Sequence, residues 1–152
     1  MRNPANILTS AFNALQPGGW LELQDPTMPF LCIDDTMEGT ALQEWMRLIC
    51  AAGEKLGRSW LNSRNYKKWM EEIGFVNIRE EHFPWAVSPW PKGKKQKLVA
   101  LWMQQDFQDG LQGFSLALLT KAFGWTSTQI EVLLIDVRKD IKNRHIHAYL
   151  DT

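Results

Sequence analysis

Apolar residues Ile7, Leu8, Ala11, Phe12 and Leu15 recur at helical spacing, directly after Asn3-Pro4, a pair suited to an N-cap and a first helical residue. Pro17-Gly18-Gly19 reads as a turn, and Trp20, Leu21 and Leu23 alternate as a short strand over residues 20 to 24. The next segment, DPTMPFLCIDD, is broken by two prolines and reads as a loop. Asp34, Asp35 or Thr36 can cap the helix that follows. Its stripe is Leu42, Trp45, Met46, Ile49, Ala52 and Leu56, and Gly57 stops it. Ser63 can cap a shorter helix carrying Tyr66, Trp69, Met70 and Ile73, stopped by Gly74.

FVNIREEHF, residues 75 to 83, reads as a second strand, and PWAVSPWPKGKKQK as a Pro/Trp-rich loop running into a basic cluster. Leu98, Leu101 and Trp102 begin one helix; Leu111, Ser115, Leu118, Leu119 and Ala122 mark another, ended by Gly124. Thr126-x-x-Gln129 and Thr128-x-x-Glu131 are both capping-box patterns. They introduce the cleanest stripe in the chain: Ile130, Leu133, Leu134, Val137 and Ile141. RHIHAYL closes with alternation, placing His145, His147 and Tyr149 on one face and Ile146, Ala148 and Leu150 on the other. The sum is an α/β fold, rich in helix, with about three short strands, few beside a mean sheet of roughly 5–6.

At 152 residues the chain has the length of one domain, and residues 1–152 are read as a single unit able to bury a core. Seventeen basic residues balance seventeen acidic ones, which argues against a general nucleic-acid or acidic-membrane binder. Cys32 and Cys50 are too few for a disulfide framework or zinc site and suit a reduced, cytoplasmic setting. No run is apolar enough to span a bilayer, and MRNPANILTS has no signal-peptide core. Eight tryptophans are the unusual feature, since this side chain lines apolar pockets and interfaces as readily as cores.

In this order, LQPGGWLELQD, YKKWMEEIGFVNIREEHF, PWPKGKKQK and above all GFSLALLTKAFGWT…VRKDIKNRHIHAY resemble the C-terminal half of fungal class I S-adenosylmethionine-dependent methyltransferases of the LaeA-like, or TAM-domain, group. The resemblance runs from about residue 4 to residue 149. It implies a Rossmann-like, seven-stranded sheet in which WLELQD is the fifth strand, FVNIREEHF the sixth and HIHAYL the start of the seventh. The expectation is a helix-rich remnant of that fold with strands one to four missing. The cofactor's glycine-rich loop and ribose-binding acid would be missing with them. The ten glycines contain no GxGxG. The cofactor expectation is therefore none, and none of the family's cofactor residues can be transferred.

Several side chains are candidates for chemistry. Gln24 and Asp25 end the WLELQD strand, at the strand end where α/β sheets bind ligands; an ordinary Asp-Pro turn explains Asp25 equally well. His147 is a candidate acid/base, because histidine titrates near neutrality, and Asp25 is the other. His145 and His147 with His82 could be imagined as a metal triad, but no spacing demands one, and the metal expectation is none. Trp85 and Trp90 lie in a proline-rich loop and, with Gln24, Trp102 and Tyr149, are candidates to line a substrate pocket. Trp45, Trp69 and Trp102 sit on apolar stripes, where core packing is the default, and Trp20 also reads as core. Lys92, Lys94, Lys95 and Lys97 form a basic cluster whose default is a solvated loop.

Three functions compete. The first is a truncated methyltransferase relative of fungal secondary metabolism that has lost the S-adenosylmethionine site. It binds an apolar small metabolite and could catalyse a cofactor-independent cyclisation or isomerisation. The second is a methyltransferase completed by a partner chain. The third is a non-catalytic interaction or regulatory protein. The partner expectation is a homodimer through residues 4–24, with no nucleic acid and no membrane. Without strand four, residues 20 to 24 would carry an unpaired edge and the first helix an uncovered stripe.

Overall fold

The computed structural model describes residues 4–152; Asn3, read above as an N-cap, lies outside them. Its elements are α1 (Pro4–Ala14), β1 (Thr27–Cys32), α2 (Ala41–Lys55), α3 (Tyr66–Ile73), β2 (Pro84–Ala86), α4 (Lys94–Phe123), α5 (Ser127–Lys142) and β3 (Ala148–Asp151). The three strands form one antiparallel sheet in the order β1-β3-β2. Leu31 pairs with Tyr149 and Cys32 with Ala148, while Trp85 pairs with Leu150. The expected class holds: helix-rich α/β with a small three-stranded sheet.

Two of the strands stand elsewhere than expected. Residues 20 to 24 are irregular and Trp20 is 77% exposed, so it is not a core residue. Alternation makes a strand only where its N–H and C=O groups find a ladder partner, and here β3 pairs with residues 27 to 32 instead. The prolines that suggested a loop are tolerated because β1 is an edge strand. Its register shifts between Thr27 and Leu31, around Pro29. Likewise FVNIREEHF is irregular, and the ladder begins just beyond it, with Pro84 as the first residue of β2. Both histidines of the last segment precede β3, so they do not share a strand face.

The core lies among α2, α4 and α5, which pack on one another, with β1 against α2 and β2 against α4. Trp45 is its centre: fully buried, ringed by Phe30, Phe107 and Phe114, with its Nε1–H donating to Ser115 Oγ at 2.8 Å. Ser115 in turn donates to Leu111 O at 2.6 Å, so this buried polar pair is satisfied. The two helices expected after residue 97 are a single 30-residue helix, α4. The apolar positions change phase along it, and Trp102, read as core, is 71% exposed on the outer side. Trp69 is half-buried against Tyr66.

The caps follow local chemistry. Thr126 and Gln129 make the reciprocal capping box of α5. Thr40, not Asp34 to Thr36, caps α2; Asp34 caps the short 3-10 turn Asp35–Met37. Ser63 lies in the 3-10 turn Asn62–Asn65, and its hydroxyl meets Thr27 Oγ1 at 3.1 Å. Gly74 ends α3 at φ +111, a conformation that needs no side chain. There the chain turns so that Phe75 meets Phe12 edge-on at 4.9 Å, joining α1 to α3.

Candidate functional site

The 3-10 turn after β1 and the segment entering β3 are brought together by the β1–β3 ladder, whose last pair is Cys32 with Ala148. Beyond that pair, Asp34 and His147 face each other: Nδ1 of His147 lies 2.6 Å from Oδ2 of Asp34. The backbone N–H of His147 donates to Thr36 Oγ1 at 2.9 Å. The Thr36 hydroxyl donates to the other carboxylate oxygen of Asp34 at 2.5 Å, the Thr36 N–H donates at 3.1 Å, and the Cys32 thiol at 3.4 Å. Trp90 lies beside the imidazole, ring centres 5.3 Å apart, held by its Nε1–H donating to Ala148 O at 3.1 Å.

The electrostatics of this cluster are ordered. The Thr36 hydroxyl, then His147, hold the Asp34 carboxyl well below the usual carboxylate range. An ionised carboxylate only accepts hydrogen bonds, so Nδ1 of His147 carries the proton it donates. That leaves Nε2 as the basic nitrogen, and among the described residues nothing hydrogen-bonds to it. The arrangement is a histidine with a fixed tautomer, packed against an indole, able to take up or release one proton.

The other candidate residues fall in different places. Asp25 accepts a hydrogen bond from the Tyr66 hydroxyl at 2.6 Å. It stands two residues before Thr27, which pairs with Asp151, so it lies toward the opposite end of β3 from His147. Burial first, and then the Asp25 hydrogen bond, push the Tyr66 hydroxyl up to about 12. Gln24 donates to Glu22 Oε1 at 2.6 Å on the exposed surface. Tyr149 is half-buried in β3, two residues from His147, and Trp85 is partly exposed on the neighbouring β2. His82 pairs with Asp151 at 2.8 Å and His145 is exposed, so the three histidines are not gathered. Among the described residues no cluster of three or more His, Cys, Asp or Glu could hold a metal ion. Both cysteines are free.

Two concave surfaces lie away from this cluster. One, of about 630 Å³, is open and bounded by Thr40, Glu44, Asp136 and Asp140; another, of about 380 Å³, by Trp125, Gln129 and Val132. In the first, Asp140 already accepts the Leu42 N–H and Lys139 pairs with Asp136, so its polar groups are engaged in holding helices. Among the described residues, His147 with Asp34, Thr36, Cys32 and Trp90 is a polar cluster that the sheet brings together from distant parts of the chain. The sequence names His147 and Trp90 as candidates, and the structure sets them side by side; no local pattern shows that Asp34, Thr36 and Cys32 lie beside them. Asp34-x-Thr36 was legible only as a capping pattern, and nothing in the chain order ties it to residue 147.

Comparison with known proteins now adds to the geometry. The family model described as a methyltransferase domain matches residues 1–80, more than half of the chain. The chain belongs to the methyltransferase-domain family. This methyltransferase-family chain is 35% identical over 144 residues to the probable methyltransferase tdiE of Emericella nidulans, covering 94% of the chain and 45% of that protein. It is 32% identical over 146 residues to the methyltransferase pytC of Aspergillus terreus, again 45% of that protein. It is 33% identical over 139 residues to the secondary metabolism regulator laeA of Monascus pilosus, 38% of that protein. The likeness to the fungal LaeA-like group read from the sequence thus holds. The chain spans less than half the length of these curated relatives. No solved structure matches it.

Proposed function

We propose that this methyltransferase-family chain acts in fungal secondary metabolism by holding an apolar metabolite beside His147, which moves a proton in a cofactor-independent isomerisation or cyclisation. The observation that carries the reading is the 2.6 Å contact between His147 Nδ1 and Asp34, which leaves Nε2 free as a base. In such a step Nε2 takes a proton from a C–H or O–H of the ligand, the electron pair released forms a new π bond or ring σ bond as an existing π bond of the ligand breaks and gives its pair to a second atom, and the imidazolium protonates that atom. No oxidant or co-reactant is needed, and ligand and product have equal mass. Trp90 and Tyr149 would form the apolar wall beside the imidazole; Asp25 and Gln24 stand toward the other end of β3, and Trp85 on the other face of the sheet, outside this pocket. The sequence contains no GxGxG to cradle S-adenosylmethionine.

The test is to incubate the chain with a panel of apolar aromatic metabolites and look for products of unchanged mass and altered retention. Turnover lost in His147→Ala, with the fold intact by circular dichroism, supports the reading; equal turnover in that variant overturns it.

A second reading is favoured by the family match: S-adenosylmethionine-dependent methyl transfer, with the cofactor held by residues outside this chain. The product separates the two: the first expects one of unchanged mass formed without S-adenosylmethionine, the second one heavier by a methyl group and formed only when S-adenosylmethionine and the residues that hold it are supplied. For assembly we propose a homodimer through residues 4–24, supported by the exposure of Ile7, Phe12, Trp20 and Leu23 in that stretch.

A further inference from the structure

The first four turns of α4 carry apolar side chains on two opposite sides. Ala100, Met103 and Phe107 pack into the core. Leu98, Leu101 and Trp102 point away from it and are 57%, 48% and 71% exposed. At 3.6 residues per turn these three span an arc of about 100°, with Lys94 inside it and Lys95 and Lys97 just beyond its two borders. Lys92 stands immediately before the helix.

The charge here is not balanced as it is over the whole chain. Between Glu81 and Asp106, 24 residues contain four lysines and no acidic residue. Among the described residues none of those four lysines is ion-paired. They sit at the N-terminal end of a long helix with no acid in its first turn, where the helix dipole already places positive charge. Four cations at a positive helix end, with no acid between them, make a local positive field that favours an anionic partner.

We infer that this end of α4 is a docking surface for an anionic lipid bilayer. Leu98, Leu101 and Trp102 enter the boundary between headgroups and acyl chains, and Lys92, Lys94, Lys95 and Lys97 face the anionic headgroups. The chemistry selects this occupant over others. A nucleic acid would engage the lysines and leave the two leucines in water. A two-fold contact between copies centred here would bring the lysines of both into one interface. Trp suits the boundary because its ring is apolar and its N–H stays wet. Asp106 and Asp109, one to two turns further on, confine the contact to the start of the helix. Among the described residues no helix is long and apolar enough to cross a membrane, so the surface lies on the bilayer rather than through it. The assignment moves Trp102 from a pocket wall to an outer surface.

The test is co-sedimentation of the full chain with vesicles of phosphatidylcholine alone and of phosphatidylcholine mixed with phosphatidylserine. Binding should be roughly tenfold or more tighter to the mixed vesicles and fall as salt rises. Trp102→Ser with Leu98→Ser, and separately Lys94→Glu with Lys95→Glu, should each weaken it about tenfold. All four side chains are exposed, and circular dichroism checks that the variants fold. Equal binding to both vesicles, or none, overturns the inference. So does full binding in the Trp102/Leu98 variant, and binding to duplex DNA in place of vesicles would make the patch a nucleic-acid contact.

Discussion

His147 and Asp34 are 113 positions apart, and each is held by Thr36 as well as by the other. The fixed tautomer gives a direct expectation. Long-range nitrogen–proton spectra should show His147 protonated at Nδ1 in the native chain and a tautomer mixture in Asp34→Asn. An unchanged tautomer in the variant would show that Asp34 does not set it. The same carboxylate makes stability depend on pH. Its folded pKa is depressed, so its contribution is complete above the ordinary aspartate value, about 3.9. It is lost as pH falls from there toward the folded value. Urea midpoints should therefore drop more between pH 7 and pH 3 in the native chain than in Asp34→Asn. Tyr66 has the opposite sign. Its hydroxyl, raised to about 12, contributes stability that is complete below the ordinary tyrosine range and lost as pH rises through the folded value. Tyr66→Phe should remove that alkaline loss. At the centre of the core, Trp45→Ala should cost about 3–5 kcal/mol by denaturant titration, through the cavity and the lost Ser115 bond.

At the scale of elements, α2 and α5 show how one neighbour can reverse a helix rule. Replacing glycine by alanine inside a helix ordinarily stabilises it by about 1 kcal/mol. Gly53 lies inside α2, but a Cβ there would stand 2.7 Å from Arg58 O and run into the Trp60 indole. Gly53→Ala should instead destabilise by about 1–3 kcal/mol, the range for overpacked sites, as read from the melting temperature. The capping box of α5 has no such conflict, and Thr126→Ala should cost about 1 kcal/mol. Helices were legible because their stripes, caps and terminal glycines lie close together in sequence. The boundary between the two helices expected in α4 was not. A change of phase in the stripe looks like a break, whereas it marks a helix that carries one apolar face inward and another outward.

For the whole molecule, the uncovered residues are as informative as the core. Trp20 is the most exposed tryptophan, at 77%, and Ile7, Phe12 and Leu23 are also open. If residues 4–24 form the proposed homodimer contact, Trp20→Glu should shift sedimentation equilibrium from dimer toward monomer at micromolar concentration. A native chain that is monomeric there would rule the contact out. No strand forms at residues 20 to 24, so no unpaired sheet edge stands there; the apolar side chains exposed along residues 4–24 support the contact instead.

The sequence alone determined the helices that carry a continuous stripe, the capping box of α5, the burial of Trp45, the helix-rich α/β class and the likeness to fungal LaeA-like methyltransferases. These rest on residues within one or two turns of each other, or on the order of segments along the chain. Only the tertiary structure decided which alternating runs became strands, which side of α4 faces water, and that His147 meets Asp34 rather than Asp25. A strand exists only with its partner, and a hydrogen bond across 113 positions exists only once β1 and β3 have paired. Neither is written in local spacing, because both depend on which backbone groups find each other when the chain closes.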